Sequence, residues 1–399
     1  MARLVGTVSR GIRLPIIKEN DDLREAVVNA VLEASKDDDW GFKVRDKDII
    51  CITESVVARA QSNYVSTENI TKDVKAKLGE ETIGLVFPIM SRNRFAICLR
   101  GIAGAAKKIV IQMSYPADEK GNLLVDPDEV YKKGLDPYRD ILDVPTFREY
   151  FGSPKHKFTG VDYIEYYTNL VNESGAECEI ILGNDPREIM KHTDKILVCD
   201  IHTKETTKKV LKDAGAKTVL GLDDIMTAPV DGSGYNPDYG LLGSNKATES
   251  SVKLFPCEAQ GFVDGIQEDM KKLTGKDVEV MIYGDGCFHD PVCGIWEFAD
   301  PEVAPFYTEG LKGTPNELKI KYLADNAFSE MKGDELKDAI KKEIEKKDAD
   351  LVGNMASEGT TPRRLTDLIG SLCDLTSGSG DKGTPVVYIQ GYFDNYTTE

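Results

Sequence analysis

The stretch "GAECEIILGNDPREIMKHTDKILVCDIHTKETTKKVLKDAGAKTVLGL", residues 175–222, decides the fold class. It holds three short apolar runs, ECEIIL (177–182), KILVCD (195–200) and KTVLGL (217–222). A short helical stretch separates the first two, and a charged helix over 203–214 separates the last two. With a further helix at 161–174, the alternation predicts a small parallel sheet joined by crossover helices. No G-x-G-x-x-G follows a strand, so the dinucleotide-binding fingerprint is absent.

The segments on either side are also α/β. NDDLREAVVNAVLEAS (20–35) starts with capping residues and then places Leu23, Val27, Val28, Val31 and Leu32 at helical spacing. DIICIT (48–53) and KKIVIQM (107–113) read as strands, and ENITKDVKAKLG (68–79) as a helix closed by Gly79. APVDGSGYNPDYGLLGSNKATESS (228–251) reads as a long polar loop whose glycines 232, 234, 240 and 243 give it freedom to move or to approach a ligand. Beyond it come a helix at 258–273, a strand DVEVMIY (277–283), a charged helical region at 315–348, a helix at 361–375, a glycine-rich turn and a closing strand VVYIQG (386–391). The expected class is α/β with mixed α+β character, divided at 1–115, 116–254 and 255–399.

At 399 residues the chain has room for two or three domains. The net charge of −18, from 68 acidic and 50 basic residues, comes without a basic block and argues against nucleic acid as a partner. No apolar run approaches the roughly 20 residues that span a bilayer. The opening MARLVGTVSRGIRLP lacks a secretion signal's apolar core, so a cytoplasmic location is expected. The 8 cysteines form no C-x-x-C pair, as expected of reduced thiols.

Four segments carry candidate chemistry. In GDGCFHDPVCG (284–294) the Cys287, His289 and Cys293 spacing matches no familiar zinc pattern. Asp285 and Asp290, beside glycines at a strand end, suit a hard divalent ion that holds phosphates, or else an ordinary Asp-Gly turn. SYPADEKGN (114–122) offers Asp118 and Glu119 for the same ion, or for a turn. TESVVARAQSNYV (53–65) brings Glu54 and Arg59 just past a strand; an arginine there can clamp phosphate or carboxylate bidentately, or sit in a surface salt bridge. GLLGSNKATESS (240–251) places Ser244 and Lys246 at an expected helix start, where anions bind and N-caps form. There is no G-x-S-x-G and no recognisable triad context for a histidine. The residues alone describe a metal- and phosphate-handling α/β enzyme.

RGIRLPIIKENDDLREAVVNAV (10–31) and DKDIICITESVVARAQSNYV (46–65) resemble the coenzyme F-420 γ-glutamyl ligase family. LTDLIGSLCDLTSGSGDKGTPVVYIQG (365–391) is similar to that family's closing helix, glycine turn and strand. MIYGDGCF (281–288) aligns the family's metal carboxylate with Asp285, and ADEKGN (117–122) aligns an earlier one with Asp118 or Glu119. Ser55 stands where the family has a lysine, and Gly286-Cys287-Phe288-His289 replaces its Thr-Phe-Gly-Arg. The resemblance implies a γ-glutamyl-ligase-like core carrying an inserted β-α-β domain; from that domain's own β-α pattern and its polar, glycine-rich loop at 228–251, the insert is expected to lie over the active site and select the acceptor. It also implies GTP as co-substrate, Mg²⁺ or Mn²⁺, and an acyl phosphate attacked by the amino group of L-glutamate or a related amino acid, in a homodimer. Arg59 would be the catalytic clamp, with Glu54, Ser244 and Lys246 near the nucleotide. The alternatives are a folate or pterin acceptor, a metal-dependent phosphohydrolase, and a non-catalytic sensor binding a ligand in its middle domain.

Overall fold

The DIICIT run forms strand Ile49–Thr53, buried along four of its five residues. In the computed structural model, which describes residues 4–157, 159–284, 288–289, 296–297, 303–348, 351, 353–357, 364–377 and 381–398, this strand lies in the middle of a five-stranded sheet. The order across that sheet is Val8–Ile12, Val386–Gln390, Ile49–Thr53, Glu279–Gly284 and Val303–Tyr307. Strands 49–53 and 279–284 run parallel, with Thr53 opposite Tyr283; the other neighbours are antiparallel. Ile49, Cys51, Met281, Tyr283, Val387 and Ile389 share one face with Ile369 and Cys373 of helix Leu365–Ser377. On helix Leu23–Ser35, Asp22 caps the Glu25 N–H at 3.0 Å and Arg24 pairs with Asp269 of helix Gln260–Thr274 at 2.6 Å.

A buried carboxylate ties this sheet together. Asp48 is 1% exposed and accepts hydrogen bonds from Tyr388 Oη (2.7 Å), Gln390 Nε2 (2.9 Å) and the Arg45 N–H (2.8 Å). These donors converge on one buried acceptor in a low-dielectric setting, where hydrogen bonds are strongest.

The chain separates into two compact units, one formed by Met1–Val57 with Glu258–Glu399 and the other by Ala58–Cys257. These units divide the chain after Val57 and after Cys257, where the sequence-based expectation divides it after residues 115 and 254. The reason is strand Thr82–Val86, which the sequence reading places inside 1–115 without identifying it as a strand. In the second unit the strand order is Leu142–Asp143, Glu177–Leu182, Lys108–Met113, Thr82–Val86, Lys195–Val198 and Thr218–Gly221. All but the short 142–143 edge strand are parallel. Strand 82–86 is first in the chain yet central in the sheet, so strands 108–113 and 177–182 build out on one side and 195–198 and 218–221 on the other. This is the doubly wound order 3-2-1-4-5, whose direction reverses between strands 82–86 and 195–198. Alternate residues feed two cores: Ile109, Ile111 and Met113 on one face, Val110 on the other.

The 228–251 segment also differs from expectation. It is not a free loop leading to a helix: Asn245–Thr248 pairs with Ser251–Lys253 as a hairpin, which in turn pairs with Tyr64–Ser66. Buried Asn63 fixes it by donating to the carbonyls of Tyr235 (3.0 Å) and Phe255 (2.6 Å) and accepting from the Tyr235 N–H (2.8 Å). Gly243 gives way to this packing and not to a ligand, since a Cβ there would lie 1.8 Å from the Phe255 ring.

Replacing Tyr388 by Phe should lower stability by about 1.5–3 kcal/mol, the range for a hydrogen bond to a charged group. Denaturant unfolding followed through the first unit would measure it; an unchanged midpoint would remove the Asp48 network from the account.

Candidate functional site

Each unit has a set of strand ends where chemistry can be placed. In the first unit, strand 49–53 passes without a loop into helix Glu54–Ala60. Glu54 occupies the first turn and Arg59 the last, each at the helix end whose partial charge favours it. Because strands 49–53 and 279–284 are parallel and in register at Thr53 and Tyr283, Glu54 and Gly284 leave the sheet at the same end. Glu54 is 3% exposed, and a Cβ on Gly284 would lie 2.1 Å from its Cγ. Only glycine leaves room for this buried carboxylate. Asp285 follows Gly284 in sequence; Asp285 and Asp290 lie outside the described residues.

The other candidates belong to the second unit, and the structure does not gather them into one cluster. Arg59 is exposed and makes no ion pair with any described residue. Ser244 is buried, with its hydroxyl 3.2 Å from the Cys98 thiol. Lys246 stands in strand Asn245–Thr248, not at a helix start, and pairs with Glu249.

Asp118 and Glu119 lie beyond strand 108–113, at the carboxyl end of the doubly wound sheet. Asp118 accepts from the N–H groups of Met90 (2.8 Å), Lys120 (3.0 Å) and Asn122 (2.9 Å) and from the Asn122 side chain (2.9 Å). Glu119 reaches across the point of reversal to accept the Ile201 and His202 N–H groups, the latter at 3.0 Å. Both carboxylates thus hold loops, and their oxygens are occupied by those bonds. Among the described residues, no group of three or more His, Cys, Asp or Glu side chains could hold a metal ion. Burial, reinforced by the charges of Asp200 and Asp118, pushes the Glu119 carboxyl up to about 7 against the opposing backbone hydrogen bonds.

Sequence reading missed what stands beside these two acids. Asp200, the last residue of the KILVCD run, is 1% exposed and accepts from the hydroxyls of Thr203 (2.6 Å) and Thr207 (2.9 Å) through Oδ2. Burial raises its pKa as well. The signal that could have found it is positional, because an acid at the carboxyl end of a parallel strand faces the crevice where doubly wound sheets bind ligands. Asn184 locks the neighbouring wall by pairing with both the N–H (3.2 Å) and the carbonyl (2.6 Å) of Tyr115.

Comparison with known families supplies the class first: an amide-forming ligase. The chain belongs to the F420-0:gamma-glutamyl ligase family, whose model matches residues 11–391. The matched range runs through residues 116–254, set apart above as an insert. No curated protein matches the chain. No helix among the described residues is long and apolar enough to cross a membrane.

Two outcomes follow from these contacts. Gly284→Ala should displace Glu54 and destabilise the first unit by about 1–3 kcal/mol, the cost of overpacking, as read by denaturant unfolding. For Glu119, whose folded pKa of about 7 lies above its ordinary 4.5, the folded chain keeps a proton that the unfolded chain releases. Its contribution to stability is fully present below about pH 4.5 and is lost as pH rises towards 7. Melting temperatures of wild type and Glu119→Gln across this window should show wild type losing ground to the variant as pH rises; parallel curves would contradict the assignment.

Proposed function

We propose that the chain catalyses nucleotide-dependent γ-glutamyl ligation at the strand ends that carry Glu54 and the segment beginning at Gly284. The observation that carries this reading is the parallel pairing of strands 49–53 and 279–284, which brings two family-like motifs to one end of one sheet. The family match over 11–391 supports the reaction class. GTP would transfer its γ-phosphoryl group to the acceptor carboxylate, releasing GDP. The amino group of L-glutamate then attacks the acyl carbon, loses a proton and expels phosphate, leaving the amide. Such a reaction needs fixed charge around the phosphoryl group more than it needs a nucleophilic side chain.

Arg59, exposed on the helix that Glu54 begins, is the proposed phosphate clamp, because its planar guanidinium holds two oxygens at once. Glu54 orients groups at the strand end as a buried acceptor. When bound, Mg²⁺ or Mn²⁺ would neutralise triphosphate charge. Asp285 is the residue proposed to hold it. The Asp118–Glu119 pair does not fit that role, since its oxygens already accept backbone hydrogen bonds. A cytoplasmic homodimer acting on a small carboxylate acceptor completes the reading.

The decisive measurement is phosphate release from GTP or ATP, with and without L-glutamate, in the presence of a deazaflavin or a folate acceptor. Release should require nucleotide, amino acid and one acceptor together. Release that needs no amino acid would mark a phosphohydrolase instead. Asp285→Asn should cut turnover roughly hundredfold, as for other transition-state charge stabilisers. Arg59→Lys should weaken nucleotide use about tenfold while keeping the charge. Unchanged kinetics in Arg59→Lys and Arg59→Ala would return Arg59 to the solvated surface.

A further inference from the structure

The second unit contains a cavity of about 400 Å³ at the carboxyl end of its doubly wound sheet. Its wall is aromatic, with Phe87, Tyr115, Tyr131 and Tyr138, and its charged lining residues are Asp118, Glu119 and Asp200. Among the described residues, no lysine, arginine or histidine lines it. A nucleotide triphosphate or a dicarboxylate such as glutamate would meet three acids in the lining, with Lys204 acting on Asp200 only from outside it, so the cavity is poorly suited to the anionic substrates of the ligase reaction.

One lining residue points to what the cavity does suit. Asp200 is 1% exposed, and although its Oδ2 accepts two threonine hydroxyls, its Oδ1 is buried with no hydrogen-bond partner among the described residues. An unpaired buried carboxylate oxygen costs the full loss of its hydration unless a donor arrives. The aromatic faces add a second preference. Tyr131 and Tyr138 are 73% and 83% exposed, an unusual position for two large rings that line the same cavity. Rings of this kind attract cations through their negative faces, most strongly where water is excluded. Phe87 completes the wall from the end of strand 82–86, where its φ of 55° is rarely adopted by a bulky residue.

We propose that this cavity binds a compact protonated amine with an apolar or aromatic body, its N–H donated to Asp200 Oδ1 and its body held against Phe87, Tyr131 and Tyr138. The amine is a ligand distinct from the reactants of the ligase. Asn184 and Glu119 pre-organise the site by fixing the loops after strands 108–113 and 195–198 before any ligand enters, which lowers the ordering cost of binding.

Calorimetric titration of the full chain with phenethylammonium chloride tests this, with no nucleotide or amino acid present, so that failure of the ligase reading leaves the result untouched. Saturable binding at one site per chain is expected, with no saturation by the anion phenylacetate or by neutral phenylethanol. Asp200→Asn should weaken binding about tenfold or more, as expected for loss of a charge-assisted hydrogen bond. The exposed pair Tyr131→Ala and Tyr138→Ala, which leaves the fold intact, should weaken it several-fold. Absence of saturable binding, equal binding of phenylacetate, or affinity unchanged in both variants would overturn the proposal. So would competition by Mg²⁺ alone, which would make the cavity a metal site.

Discussion

Parallel pairing of strands 49–53 and 279–284 governs how the rest of the chain is arranged. Antiparallel neighbours can be joined by a tight turn, but parallel neighbours need a crossover that returns the chain to the starting end. Here that crossover comprises residues 54–278 and contains the whole of the second unit. Because loop-closure entropy rises only slowly with length, a crossover of this size is tolerable once the inserted residues fold on their own core. The second unit has such a core on both faces of its sheet.

The same pairing gives the first unit its chemical end. In a parallel pair both strands deliver their next residues to one side, which is why Glu54 and Gly284 meet and why the absence of a side chain on Gly284 matters. The second unit repeats the rule with different means. There the reversal of strand order opens a crevice, and Glu119 spans it to satisfy two backbone N–H groups that would otherwise need water. The carboxylate gains those bonds at the cost of desolvation, and the raised pKa records which effect is larger.

Much of this architecture was legible in the sequence. Strands 177–182, 195–198 and 218–221 fall inside the apolar runs that mark them, and helix Thr67–Leu78 ends at Gly79 with φ 83°. What was not legible has physical causes. Helix Phe95–Ala103 is buried on nearly every side, and Arg100 is its one charged residue, so its sequence reads as a short apolar run and not as a helix with a polar face. Strand 82–86 is five residues long and pairs only with distant segments. Without it, strand 108–113 has no visible link to the later strands, and the expected division leaves both on the N-terminal side of residue 115. At the site, the sequence offers Asp118 and Glu119 as ligands of a divalent ion or as turn formers, and it does not show that backbone amides donate to their oxygens. The Ser, Asn, Lys and Thr around Lys246 favour helix caps and turns alike, and here they sit at a hairpin.

The central place of strand Val386–Gln390 imposes an order in time. It lies between Val8–Ile12 and Ile49–Thr53, and neither of those strands pairs with the other. During synthesis the second unit, contiguous from Ala58 to Cys257, has all its strands available long before residue 386 is made. The first unit does not. Strand Val8–Ile12 must wait, unladdered, until the closing strand emerges to join it, while strand Ile49–Thr53 can pair first with Glu279–Gly284 but keeps its other edge open for that interval.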